Sequence, residues 1–277
     1  MSEDRKPEVR YHMLRPGQIV ERRKAFPAVY IPIGTIEWHG VQNPVGADSL
    51  QAEGIAIKCA QKGGGLVFPT LHYGEPRLEA LIDSNPQTRD AVSEIMEISP
   101  DNWGVEKMPL TPPEQALHYN RLLMQILAEA ECLGFEVAVL VAGHYPLIDH
   151  ARAAVLQFNQ RRYGNTRRML AWAFIDFALV EDLVPNGGDH GGAWETSRVM
   201  SLSPETVDLS VLPPRGEEVV GTMWSVDPHD ATPESATEAI EAAVDVAIEE
   251  VRHRLANRWL YLSHGRSLSE GLWRKDA

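Results

Sequence analysis

Short apolar runs alternate with helical segments along most of this chain, and this alternation constrains the fold more than any other feature. The segments 28–36, 66–71, 137–142 and 169–178 have the length and apolar content of buried strands. Strands that alternate with helices form a mostly parallel sheet covered on both faces. We therefore predict an α/β fold with three α/β/α layers.

The predicted helices carry start and stop signals. One helix is predicted over 50–61, stopped by the glycines at 63–65. A second begins at Thr111, where a capping box and a proline at the first helical position coincide, and it ends at Gly134. The last long helix begins at Thr232 and shows one apolar stripe.

One stretch, at about 83–108, does not fit the alternation. It contains several prolines and acidic residues, and a short helix is possible only around 88–98. We predict that it is a divergent insertion or lid over a sheet edge, within a single domain that spans residues 1–277.

Charge and cysteine content exclude several classes of protein. The 277 residues include 26 Lys or Arg and 39 Asp or Glu, a net charge of −13 at pH 7. Nucleic acid binding needs a basic footprint, so we predict no nucleic acid partner. No apolar run approaches the length of a transmembrane helix, and the N-terminus lacks the pattern of a signal peptide, so we predict no membrane partner. We predict that Cys59 and Cys132 are buried, reduced thiols of a cytoplasmic protein.

Polar side chains collect at three places where a predicted strand ends and a helix begins. In open parallel sheets, ligands bind outside the carboxyl ends of the strands. The three places are 36–49, 142–147 and 186–197. They are the candidate functional segments of the chain.

The first place combines two carboxylates with an imidazole. Glu37 and His39 are two residues apart and project together from a strand end, and a glycine-containing turn can bring Asp48 back beside them. Such a mixed set of nitrogen and oxygen donors suits Zn, Mn or Fe. The alternative is structural: Glu37 as a surface charge, His39 as a packed loop residue, and Asp48 as the N-cap of the next helix.

The second and third places each contain a histidine among glycines. His144 directly follows the most apolar strand, and Gly143 would let a ligand approach the backbone. His190 lies among four glycines, which suggests backbone against a ligand, and Glu195 opens the next helix. The alternatives are a satisfied histidine near the core, and a glutamate placed by the free N–H groups of a helix start.

Taken together, these stretches resemble the creatininase (creatinine amidohydrolase) family. The similarity covers about residues 25–80 and 110–255. Four segments that match family motifs occur in order: Glu37-Trp38-His39-Gly40 with Asp48, Gly143-His144-Tyr145, His190-Gly191-Gly192-Ala193-Trp194-Glu195-Thr196-Ser197, and Val226-Asp227-Pro228-His229-Asp230-Ala231-Thr232.

The resemblance implies a two-metal hydrolase that cleaves a C–N amide bond of a small molecule, of the cyclic amide or formamide type. Glu37, His39, Asp48 and His144 match metal ligands of the family, with Asp48 in the bridging position. His190 matches the histidine assigned to proton transfer. Many members form homo-oligomers, including hexamers, so we expect a homo-oligomer here.

The chain departs from creatininase itself at Pro146, where that enzyme has a metal-binding glutamate. The resemblance then favours Glu195 as the replacement ligand, because its family counterpart lies near the site. Tyr145 and Trp194 are candidate substrate-binding residues that flank the motif residues.

Two other functional classes stay open at this stage. The departure at Pro146 allows a catalytically degenerate protein that keeps the fold as a binding or scaffold component. A nucleophilic hydrolase using Ser197 or Ser49 is disfavoured, since the chain has no G-x-S-x-G motif.

Overall fold

The computed structural model describes residues 7–74, 88–102, 107, 109–160, 169–184 and 187–261. Within them are seven α-helices and four strands, numbered in chain order. The helices are α1 Pro16–Ala25, α2 Ala47–Gly63, α3 Arg89–Ile95, α4 Pro112–Cys132, α5 Leu147–Gln160, α6 Ala193–Leu202 and α7 Pro233–Ala256. The strands are β1 Ala28–Ile33, β2 Leu66–Val67, β3 Val137–Ala142 and β4 Leu170–Ile175.

The four strands form one parallel sheet in the order β2-β1-β3-β4. The α/β fold with a mostly parallel sheet is therefore confirmed. The chain moves from β1 to β2 on one side and then crosses to β3 on the other side of β1. A switch point lies between β1 and β3, which is where ligands bind in open α/β sheets.

Three strands end sooner than the apolar runs predicted. The neighbouring strands β1, β3 and β4 end level with one another, with Ile33 paired to Ala142 and Ala142 paired to Ile175. Beyond that level no ladder partner continues, so 34–36 leave the sheet and 176–178 enter a 3-10 helix. The predicted strand 66–71 is a two-residue strand, followed by a single bridge between Leu71 and Ile33.

Alternate residues of the strands feed two separate apolar layers. Tyr30, Val139 and Trp172 face a layer built with α2 and α7. Ile31 and Leu140 face a layer built with α4 and α5. This arrangement is the predicted α/β/α sandwich, and each layer follows from the period-two direction of strand side chains.

The prediction of two buried thiols is wrong for Cys132. Cys59 is buried in α2, but Cys132 is exposed. The core-facing stripe of α4 includes Leu127 and Ala130, and Cys132 lies about 200° around the helix from Ala130 at 3.6 residues per turn. Among the described residues, no helix is long and apolar enough to cross a membrane.

The short helix predicted around 88–98 is present as α3. Its Val92 packs with Trp38 in a small cluster beside the main core. Residues 83–87, 103–106 and 108 lie outside the described residues, so the lid remains a prediction, as does the single domain over 1–277.

Candidate metal centre

Five side chains from three parts of the chain converge at the carboxyl end of the sheet. Glu37 and His39 follow β1, Asp48 lies in the first turn of α2, His144 follows β3, and Glu195 lies in the first turn of α6. All five are buried, with Glu37 at 0% exposed and Asp48 at 2%. These are the five ligands predicted from the sequence, and the fold brings all of them together.

The loop from β1 to α2 does not follow the structural alternative. The Glu37 N–H donates to the Val45 carbonyl at 2.9 Å, which closes the turn that returns Asp48 to Glu37 and His39. Glu37 is not a surface charge. Asp48 is not an N-cap either, because Gly46 occupies that position and Asp48 is the second residue of the helix.

Two sets of donor atoms meet at Asp48. In the first, His144 Nδ1 lies 3.1 Å from Glu37 Oε2 and 3.3 Å from Asp48 Oδ2. In the second, His39 Nε2 lies 3.3 Å from Asp48 Oδ1 and 3.6 Å from Glu195 Oε1. The donor atoms of each set lie within 4.8 Å of one another. The nearest Asp48 oxygen is Oδ2 for His144 and Oδ1 for His39.

The donor atoms have the properties that a divalent cation requires. Both carboxylate oxygens of Glu37, Nε2 of His39 and Oδ2 of Asp48 are fully buried and accept or donate no hydrogen bond. Buried polar atoms without partners are costly, and a metal ion is one way to satisfy them. His39 Nδ1 donates to the Glu37 carbonyl at 3.0 Å, which leaves Nε2 as the nitrogen that can bind an ion.

The carboxylates and imidazoles of the centre shift each other's pKa. Burial alone raises the pKa of Asp48, but the charges of His39 and His144 outweigh it and hold that pKa well below its usual range. Burial lowers the pKa of His144, yet the negative charges of Asp48 and Glu37 raise it to about 10. Burial opposes the charged form of His39 too, but Glu195 and Asp48 raise its pKa well above the ordinary value.

These shifts predict that metal binding releases protons. The raised pKa of His39 and the rise of the His144 pKa to about 10 both favour the protonated imidazoles in the metal-free protein. Metal ions bind the neutral imidazole, so Zn²⁺ should displace about two protons per chain at pH 7, and its affinity should fall as pH falls. Calorimetric titration of the metal-free protein in two buffers with different ionisation enthalpies measures this number. Binding without proton release would contradict the assignment of both histidines as ligands.

His190 lies beside the centre. Its ring centroid is 4.4 Å from that of His39, and a third set of donor atoms within 4.8 Å joins it to Glu37 and His39. Its Nε2 donates to the Trp38 carbonyl at 2.7 Å. A carbonyl can only accept, so Nε2 carries the hydrogen of this bond.

The glycines around these histidines serve contacts within the chain. A β-carbon at position 143 would lie 1.9 Å from the Asp48 carbonyl oxygen, so Gly143 admits the first turn of α2. Gly191 has φ +65°, and a β-carbon there would lie 2.8 Å from the His39 carbonyl oxygen. At Gly143 and Gly191 the close approach is therefore made by backbone that carries Asp48 and His39, while Gly143 and Gly188 also line the cavity beside the centre.

A cavity of about 210 Å³ opens onto the metal centre. Its lining includes Asp48, His144, His190 and Glu195, together with the predicted substrate-binding residues Tyr145 and Trp194. Phe177 joins these two aromatic rings: it stacks on Tyr145 with 6.1 Å between centroids and meets Trp194 edge-on at 5.4 Å. These three rings form an aromatic wall of the cavity that the candidate ligands also line.

Several buried polar residues that support the centre were not predicted. Asn43 donates to the His39 carbonyl and to the Thr196 hydroxyl. Gln51 donates to Glu195, and Arg198 donates to Gln51. Their spacing in the sequence could have indicated them. Gln51 lies three residues after Asp48, and Arg198 lies three residues after Glu195, so each shares a helix face with a predicted ligand.

Comparison with known proteins supports the sequence resemblance. The family model described as creatinine amidohydrolase (creatininase) matches residues 12–251. A creatinine amidohydrolase of Pseudomonas putida is 25% identical over 191 residues, which cover 65% of this chain and 65% of that protein. The chain thus spans about two thirds of the length of this curated relative.

Solved creatininase structures share the fold. The Mn form of creatininase has a TM-score of 0.62 at 20% identity, covering 90% of this chain and 99% of the other. A mutant creatininase of the Zn-Zn type has a TM-score of 0.61 at 20% identity, covering 90% of this chain and 98% of the other. At these identities the likeness establishes the fold alone.

Proposed function

This chain belongs to the creatininase family, and we propose that it is a metal-dependent amidohydrolase that cleaves a C–N amide bond of a small molecule. The observation that carries the proposal is Asp48, a buried carboxylate whose two oxygens serve two separate donor sets at the wall of one cavity. The matching structures that are described as Mn and Zn-Zn forms support metal ions as the occupants.

Glu37, Asp48 and His144 would hold one divalent ion, and His39, Asp48 and Glu195 the other. When bound, two ions of Zn, Mn or Fe would polarise the amide carbonyl and lower the pKa of a water molecule toward neutrality. Each donor set offers three protein ligands, which matches catalytic zinc sites that keep one position open.

Glu195 supplies the carboxylate that Pro146 cannot. Its Oε1 lies 3.6 Å from His39 Nε2, and it is 5% exposed. Pro146 lines the same cavity but has no side-chain donor atom. A protein with a degenerate centre would lack a third ligand at this set, and the position of Glu195 therefore favours an active enzyme over a scaffold.

His190 is the residue proposed to give a proton to the leaving nitrogen. Its Nε2–H is held by the Trp38 carbonyl, so the ring orientation is set and the exchange takes place at Nδ1. An imidazole suits this role because one ring nitrogen can be held by a hydrogen bond while the other transfers a proton.

Tyr145 and Trp194 are proposed to contact the substrate through the aromatic wall. Their rings, with Phe177 between them, offer apolar surface to a planar group of the cyclic amide or formamide type. A homo-oligomeric state and a cytoplasmic location stay predictions from the resemblance and the cysteine content.

Reconstitution of the metal-free protein with Zn²⁺ or Mn²⁺ tests the proposed function. The ring-opened product of a cyclic amide or cyclic urea, or formate from a formamide, should be detected for at least one compound in a panel of these three classes, and chelation should remove the activity. A fully loaded protein that turns over no compound in this panel would contradict the enzyme and favour the scaffold. A protein that binds no metal would contradict both ligand sets.

A further inference from the structure

We propose that Gln51 and Arg198 are positioning residues that fix Glu195 as a metal ligand. The inference rests on the proposed function and deepens it, because it explains how a glutamate from α6 can replace a ligand absent at Pro146. Neither side chain belongs to a donor set, and both are buried, with Gln51 at 4% and Arg198 at 2% exposed.

Two hydrogen bonds lead from Arg198 through Gln51 to Glu195, and both donate toward Glu195. The Arg198 guanidinium carries only donors, and its Nε donates to Gln51 Oε1 at 3.0 Å. The Gln51 oxygen therefore faces Arg198 and its amide nitrogen faces the metal centre. That nitrogen donates to Glu195 Oε1 at 3.1 Å.

Glu195 is held at both oxygens. Oε2 accepts the Gly191 N–H at 2.8 Å, while Oε1 accepts from Gln51. The two donors fix the rotamer of the carboxylate, so Oε1 is directed at His39 Nε2, 3.6 Å away, with a lone pair still available for an ion.

Arg198 is itself anchored at two points. It forms an ion pair with Asp176, a buried residue at the end of β4 that also lines the cavity. Its guanidinium carbon also lies 4.7 Å from the centroid of the Trp194 ring. A buried arginine is stable only when it is paired. These contacts therefore hold the series of side chains that runs from Asp176 through Arg198 and Gln51 to Glu195 in one arrangement.

The substitution Gln51→Glu tests the inference because it keeps the shape of the side chain but replaces the amide that donates to Glu195 with a carboxylate, which can only accept. Two carboxylates would then face each other, and the Zn²⁺ affinity of the Glu195 set should fall about 10- to 100-fold, as for other partners that orient ligands. The Zn²⁺ content of the full-length protein, dialysed at a concentration that fills both sites in the wild type, should fall from two ions to one. The control is Gln61→Glu, the same change near the exposed end of the same helix, which should keep two ions.

A second variant covers a failure to fold. Gln51→Met removes the donor with an apolar side chain of similar length, and it should also weaken only the second ion. Visible spectra of the Co²⁺-loaded protein add a readout of coordination that loss of packing alone would not change. Two ions at wild-type affinity in both variants would overturn the inference, whereas a wild-type protein without metal would overturn the proposed function instead.

Discussion

Asp48→Asn is expected to remove most metal binding and to lower kcat/KM for the amide substrate at least about 10³-fold, since a metal-activated reaction depends on several kcal/mol of charge stabilisation. The reason is that Asp48 belongs to two donor sets. It is the one residue shared by the set of Glu37 and His144 and the set of His39 and Glu195. An amide at this position keeps the shape but loses the negative charge that offsets two cations. Metal analysis and steady-state kinetics on the same preparation measure both losses.

A matched control separates this effect from a general loss of structure. Asp149 is an exposed aspartate in the first turn of α5, and Asp149→Asn makes the same chemical change there. It should leave metal content and kcat/KM unchanged. If Asp48→Asn kept two ions and wild-type turnover, the proposal that Asp48 bridges two ions would be wrong.

His190→Asn is expected to lower kcat/KM about 10²- to 10⁴-fold, the usual contribution of a general acid or base. Both ions should stay bound, because His190 belongs to neither of the two sets that share Asp48. The exposed His118 in α4 offers the control His118→Asn, which should keep both ions and wild-type kcat/KM.

Loss of a metal ion in His190→Asn would assign the histidine differently. It would point to the third set of donor atoms, in which His190 lies with Glu37 and His39, as a real ligand set. Metal content of the variant therefore distinguishes a proton donor from a ligand, which the loss of activity alone does not.

The residues of the centre that could be predicted from the sequence are those whose position depends on where a strand ends. Glu37, His39 and His144 follow strands whose apolar character is plain, and parallel strands bring their carboxyl ends to one edge. The sheet places β1 beside β3, so these residues meet at the switch point. The resemblance added Glu195, which no local pattern near β1 or β3 could have placed there.

The supporting residues depended on tertiary contacts that no local pattern encodes. Gln51 and Arg198 come from different helices, and their direction of donation follows from a pairing across 147 residues of sequence. We predicted that the glycines allow a ligand to approach the backbone. Gly143 instead makes room for the Asp48 carbonyl, and this contact forms only when α2 packs on β3. The exposure of Cys132 likewise depends on which stripe of α4 meets the sheet.

The most direct test of the two-metal centre is a crystal structure of the metal-loaded protein with anomalous difference maps collected at the absorption edge of the bound metal. Two peaks are predicted, one ligated by Glu37, Asp48 and His144 and the other by His39, Asp48 and Glu195. A single peak, or ions held by residues other than these five, would contradict the centre described here.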